Sequence, residues 1–206
     1  MVPLVLSEAS WLSRASVRVR QTQGMLPLSV TFVGAETGSW RVERLETIVG
    51  EPLASVSRVE VIEGPSAARR GDAAWVLRGV TSNDRYIGRE QQRELVSRQG
   101  PLGRPESTRA ALIPITKAEA WWELAQDERR RIFEDSSRHV AIGLEYLPAI
   151  ARRLHHGRDL GEPFDFLTWF EFAPEHASVF EELVLRLRAT QEWTYVEREI
   201  DLRLAR

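Results

Sequence analysis

Short runs of β-favouring residues, each closed by glycine or proline, constrain this chain more than any other feature. Residues 28–34 and 40–49 are rich in β-branched and aromatic side chains, and Gly34 and Gly38 lie between them. That pattern predicts two strands joined by a tight turn. Residues 56–63 set Val59 and Val61 against polar neighbours, and Gly64-Pro65 ends the run. Further strands are predicted at 74–80, 109–115, 149–156, 165–172 and 194–204, the last alternating cleanly. Gly157, Gly161 and Pro163 separate 149–156 from 165–172 as a hairpin would.

Helical signals interrupt these runs. Residues 89–98 read as a short helix stopped by Gly100-Pro101. Thr116 followed by Glu119 has capping-box spacing, which predicts a helix start carrying Trp121 and Trp122. Asp127 is placed to cap a second stretch through Phe133, with His139 near or just beyond its end. Pro174 suits a first helical turn, and Val179, Phe180, Leu183, Val184 and Leu187 then form an amphipathic stripe. Tight hairpins mixed with helices predict an α+β fold of the ferredoxin-like kind: an antiparallel sheet with helices on one face. Such a sheet can close against a second copy, so a homodimer is expected.

Composition narrows function by exclusion. The 28 basic and 30 acidic side chains leave a net charge of −2, which gives no electrostatic footprint for nucleic acid or an anionic membrane. With no cysteine, thiolate nucleophiles, iron–sulfur clusters and c-type haem attachment are ruled out. No apolar stretch approaches the ~20 residues that span a bilayer, and no signal peptide is visible. A cytoplasmic location is expected, although a mature periplasmic chain would read the same. Lys117 is the sole lysine among mostly arginine cations, which fits a genome-composition bias.

Few residues stand out as carriers of chemistry. His176 reads as a solvated residue at a helix start. His155 and His156 are adjacent on a strand and point to opposite faces, which makes joint chelation of one ion awkward. His139 stands alone between a charged helix and an apolar stretch, a setting more often structural than ligating. Arg152 shares a strand face with Ile150 and Leu154, the face expected to be buried. A buried guanidinium keeps its charge, so it needs either a carboxylate partner or a small anionic substrate. On the residues alone both readings stay open.

The order of several motifs resembles the chlorite dismutase family. They are LRGVTSNDRY at 77–86, LGRPESTRAALIPITKAEAWW at 102–122, RHVAIGLEYLPAIARRLHH at 138–156, DFLTWFEF at 165–172 and ATQEW at 189–193. The resemblance covers about residues 70–193, and the length is similar to that of the family's shorter, dimeric branch. It implies a dimeric α+β barrel in one unit, with a truncated N-terminal half at 1–70 and a haem-binding ferredoxin-like half at 71–206.

Carried over residue by residue, the resemblance makes His139 the axial ligand of a haem b iron. Glu192 becomes the carboxylate bonded to that ligand's other ring nitrogen. Arg152, thirteen residues after His139, matches the distal arginine. Trp122 matches a tryptophan packed near the haem, Trp121 its neighbour, and Asn83 and Tyr86 match residues that bind haem propionates. The implied reaction splits chlorite into chloride and molecular oxygen, with Arg152 holding the chlorine-bearing fragment until the O–O bond forms. Rival readings are the coprohaem decarboxylase of the same superfamily, a non-catalytic haem carrier or sensor, and a cofactor-free barrel. The decarboxylase lacks the distal arginine and relies on a tyrosine, so Arg152 argues against it.

Overall fold

The structure is a computed structural model that describes residues 28–64, 71–81 and 89–206. The sheet strands are β1 (Ser29–Ala35), β2 (Trp40–Val49), β3 (Arg58–Glu63), β4 (Trp75–Thr81), β5 (Arg109–Lys117), β6 (Ala151–His156), β7 (Phe166–Phe172) and β8 (Val196–Ala205). The helices are α1 (Arg89–Arg98), α2 (Glu119–Glu123), α3 (Gln126–Arg130), α4 (His139–Glu145) and α5 (Ala177–Arg188). A π-helical turn, Arg131–Ser136, joins α3 towards α4. Among the described residues no helix is long and apolar enough to cross a membrane.

All eight strands pair antiparallel and close into one barrel in the order β1-β3-β2-β8-β5-β7-β6-β4. The expected α+β architecture with an antiparallel sheet is therefore present, but its closure differs from the expectation. The sheet closes on itself within one chain and needs no second copy. Strands β5 to β8 run in the order 8-5-7-6 and strands β1 to β4 in the order 2-3-1-4, so each set repeats the ferredoxin-like arrangement. Helices α2 to α5 are inserted between strands of the second set.

Alternation along the strands divides the apolar residues into two cores. Phe32, Trp40, Leu77, Leu112, Leu167, Trp169, Ile200, Leu202 and Leu204 fill the barrel. Their neighbours on the opposite face, Ala111, Ile113, Ile115, Phe170 and Phe172, meet Phe180, Leu183, Val184 and Leu187 of α5. Each such side chain removed from water contributes about 1.5–3 kcal/mol, so the stripe on α5 fixes that helix across the sheet. Pro114 sits inside β5, where it has no N–H to give. Pairing with β8 accordingly passes from Leu112↔Leu202 to Ile115↔Glu199, while the β7 ladder continues through Pro114↔Leu167.

One local expectation is corrected and one is extended. Thr116 does not cap a helix: β5 runs on to Lys117, and the Thr116 hydroxyl donates to the Pro163 carbonyl at 3.2 Å. Strand pairing there outweighs the local cap. His139 lies just beyond the helical stretch ending at Ser136, as expected, but it also opens a further helix, α4, after Arg138 takes a left-handed conformation with φ 51°.

Candidate functional site

A cleft lies between the outer face of β5–β8 and helices α4 and α5. Its cavity volume is about 200 Å³, and its mouth opens to solvent. Ile113, Ile115, Phe166, Phe170, Leu183 and Val184 make its walls largely apolar. His139, Glu192, Trp121 and Arg152, singled out from the sequence, all line it.

On the α4 side, His139 Nδ1 lies 2.7 Å from Glu192 Oε2. Glu192 is 4% exposed, on a short 3-10 turn (Gln191–Tyr195) that leads into β8. Burial pushes its carboxyl up. The contact with His139, followed by the charge and hydrogen bond of Lys117, outweighs burial and holds it at about 2. An ionised carboxylate only accepts, so Nδ1 carries the hydrogen and Nε2 is left with its lone pair. The backbone N–H of Glu192 donates to Ser137 Oγ at 2.9 Å, which ties the turn to the segment before α4.

Lys117 completes this cluster, although its sequence context gave no functional role. It is 2% exposed, and its ammonium donates to Glu192 Oε1 at 2.9 Å and to the Glu192 carbonyl at 3.1 Å. It also stands 4.8 Å from the Trp121 ring centroid and 5.4 Å from that of Trp193. Burial lowers its pKa, against the opposing pull of Glu192. The usable signal was its uniqueness: one lysine kept where every other long cation is arginine.

On the facing wall, β6 directs Arg152, Leu154 and His156 into the cleft. Its alternate residues Arg153 and His155 line a separate cavity at the barrel interior. The two adjacent histidines thus face opposite sides of the wall, and a site chelated by both does not form. His155 is 1% exposed, with Nδ1 3.0 Å from the Leu167 carbonyl. The Arg152 carbonyl accepts a 2.6 Å bond from Gln99 Nε2. Its guanidinium carbon lies 4.0 Å from where a Cβ on Gly143 would stand. Gly143 is one turn beyond His139 on the same face of α4, so Arg152 reaches across to the wall that carries the histidine.

Trp121 is 1% exposed and packs against Tyr195 at 5.4 Å. Trp122 stacks on Phe166 at 6.0 Å, with the Arg158 guanidinium 4.1 Å from its ring, so it reaches the cleft through Phe166. Asn83 and Tyr86 lie outside the described residues. Among the described residues no cluster of three or more His, Asp or Glu is arranged to hold a metal ion. His139 offers the cleft an imidazole backed by a buried carboxylate and facing apolar walls. That donor chemistry fits a flat macrocycle whose iron already has four ligands and needs one more from the protein.

The chain is similar to several chlorite dismutases. The family model described as chlorite dismutase matches residues 59–206. A dimeric chlorite dismutase structure from Nitrobacter winogradskyi is 56% identical, with a TM-score of 0.80, over 86% of this chain and 99% of that one. A chlorite dismutase of Ideonella dechloratans is 29% identical over 126 residues, which span 60% of this chain but only 42% of the relative. A mutant chlorite dismutase from Candidatus Nitrospira defluvii shares the fold, with a TM-score of 0.63 at 19% identity over 87% of this chain and 91% of that one.

Proposed function

The chain belongs to the chlorite dismutase family, and from that membership and the geometry of the cleft we propose that it binds haem b through His139 and converts chlorite into chloride and molecular oxygen. The observation that carries the reading is the pairing across one apolar cleft of an imidazole backed by Glu192 with the guanidinium of Arg152.

His139 would bind iron through Nε2. Glu192 keeps the proton on Nδ1 and makes the imidazole more electron-donating, while Lys117 holds the carboxylate in place. Trp121 would pack beside the cofactor, Trp122 would support it through Phe166, and Asn83 and Tyr86 would take the propionates. The haem supplies an iron centre able to accept and return oxygen and electrons. Arg152 draws the chlorite anion into a cleft whose apolar walls strengthen the attraction. The guanidinium would hold the chlorine-bearing part of the substrate inside the cleft through its charge. The dimeric Nitrobacter relative supports a homodimer here too.

The test is oxygen release from chlorite by the haem-containing protein and by Arg152→Ala. The wild type should evolve oxygen, and the variant should lose ~10²-fold or more in rate. A wild type that shows a Soret band but releases no oxygen overturns the activity. Conversion of iron coproporphyrin to haem b in the presence of peroxide would assign the decarboxylase reading instead.

A further inference from the structure

The cleft wall contains a second buried carboxylate that the proposed chemistry does not use. Glu199, on β8, is 0% exposed and lines the same cleft as His139. Its Oε1 accepts from Arg188 Nε and Nη2 at 2.8 and 2.5 Å. Its Oε2 accepts from Trp193 Nε1 at 2.8 Å. Arg188 also donates to Asp201 Oδ2 at 2.8 Å, and Asp201 in turn accepts from Arg203, which reaches Glu181.

Trp193 joins this group to the axial cluster. Its edge gives a hydrogen to Glu199, while its face receives the Lys117 ammonium at 5.4 Å. Donation to an anion pushes electron density into the indole, which strengthens its hold on the cation. Glu199 also competes with Glu192 for Lys117, because both are buried anions near the ammonium. The fork of Arg188 on one oxygen and the indole on the other occupy Glu199, leaving Lys117 on Glu192 at 2.9 Å. Charges therefore alternate along the wall: Glu192, Lys117, Glu199, Arg188, Asp201, Arg203.

We propose that Glu199 and Arg188 are positioning residues that act through Trp193 and Lys117 to set the charge felt by the His139 imidazole, and so the reduction potential of the iron it would hold. The proposal rests on the haem reading above. Loss of the buried anion leaves a less negative surrounding, which favours the reduced iron. Loss of Arg188 does the reverse: Glu199 becomes an uncompensated anion and draws Lys117 from Glu192.

The test is potentiometry of haem-containing wild type, Glu199→Gln, Arg188→Met and Arg188→Lys, with the iron–histidine stretch of the ferrous form recorded alongside. Glu199→Gln should shift the potential upward, Arg188→Met downward, and Arg188→Lys should remain near wild type. Opposite shifts are not the mark of a merely structural role, which would move both variants the same way. Equal potentials and an unchanged stretch in all four proteins, or shifts of one sign, overturn the proposal. Arg188→Lys, which keeps the charge, still decides it if Arg188→Met does not fold: a lysine variant displaced as far as Glu199→Gln contradicts it. Failure of the wild type to show a haem spectrum rejects the haem reading itself and is distinguishable from these outcomes.

Discussion

Lys117 Nζ and Glu192 Oε1 stand 2.9 Å apart behind His139, both almost wholly removed from solvent. A buried ion pair adds little over an apolar pair of the same shape, but breaking it strands a charge. Lys117→Met should therefore destabilise the fold by about 3–5 kcal/mol, read by urea denaturation. Lys117→Met with Glu192→Gln should recover part of that loss, because no lone charge remains. A single variant as stable as wild type would remove the pair from any structural role.

Haem should stabilise the folded chain through His139. At a free haem concentration one hundred times Kd, the linkage is ~2.7 kcal/mol, seen as a rise in Tm. His139→Ala should show a much smaller rise and lose the iron–histidine stretch. An equal rise in the variant would place the ligand elsewhere.

His155 gives the fold an acid sensitivity of its own. Burial, aided by the Arg153 charge and opposed by the bond to the Leu167 carbonyl, lowers its pKa from 6.5 to about 4. Above about 6.5 both folded and unfolded chains hold it neutral, so it has no effect. As pH falls, the unfolded chain takes up a proton that the folded one refuses, and stability drops. Across the window the loss is on the order of 3 kcal/mol, at ~1.4 kcal/mol per pH unit. His155→Gln should flatten the fall in unfolding free energy between pH 6.5 and 4. Parallel pH curves for the two proteins would contradict this.

Gly34 should tolerate no side chain. A Cβ there would stand 2.1 Å from Trp75 Cε2, and the indole is pinned by its 3.0 Å bond to the Ala54 carbonyl. Gly34→Ala should cost about 1–3 kcal/mol by thermal or urea unfolding. Trp75→Leu in the same chain should relieve part of the clash, giving a non-additive double variant.

Much of the fold could be read from residue order because the strands obey a period of two between glycine turns. The run 40–49 and the helix 89–98 match β2 and α1 residue for residue. Arg152 was legible for the same reason: alternation with Ile150 and Leu154 puts it on the face that becomes the cleft wall. Closure of the barrel was not, since it depends on pairings such as Arg41↔Ala205, far apart in the chain, that no local pattern encodes. The role of Lys117 was not legible because its partners, Glu192 and Trp193, join it only when β5 and β8 lie side by side. Glu199 was hidden likewise, its charge looking like the solvated half of an alternating strand. Thr116 misled because a short cap motif carries no information about the strand running through it.

Strand β6 serves two chambers at once. Arg152, Leu154 and His156 line the cleft, while Arg153 and His155 line the barrel interior. A slip of one residue against β7 would turn each of these side chains to the opposite face. The six pairs from Ala151↔Glu171 to His156↔Phe166 therefore decide which chamber receives each guanidinium and each imidazole.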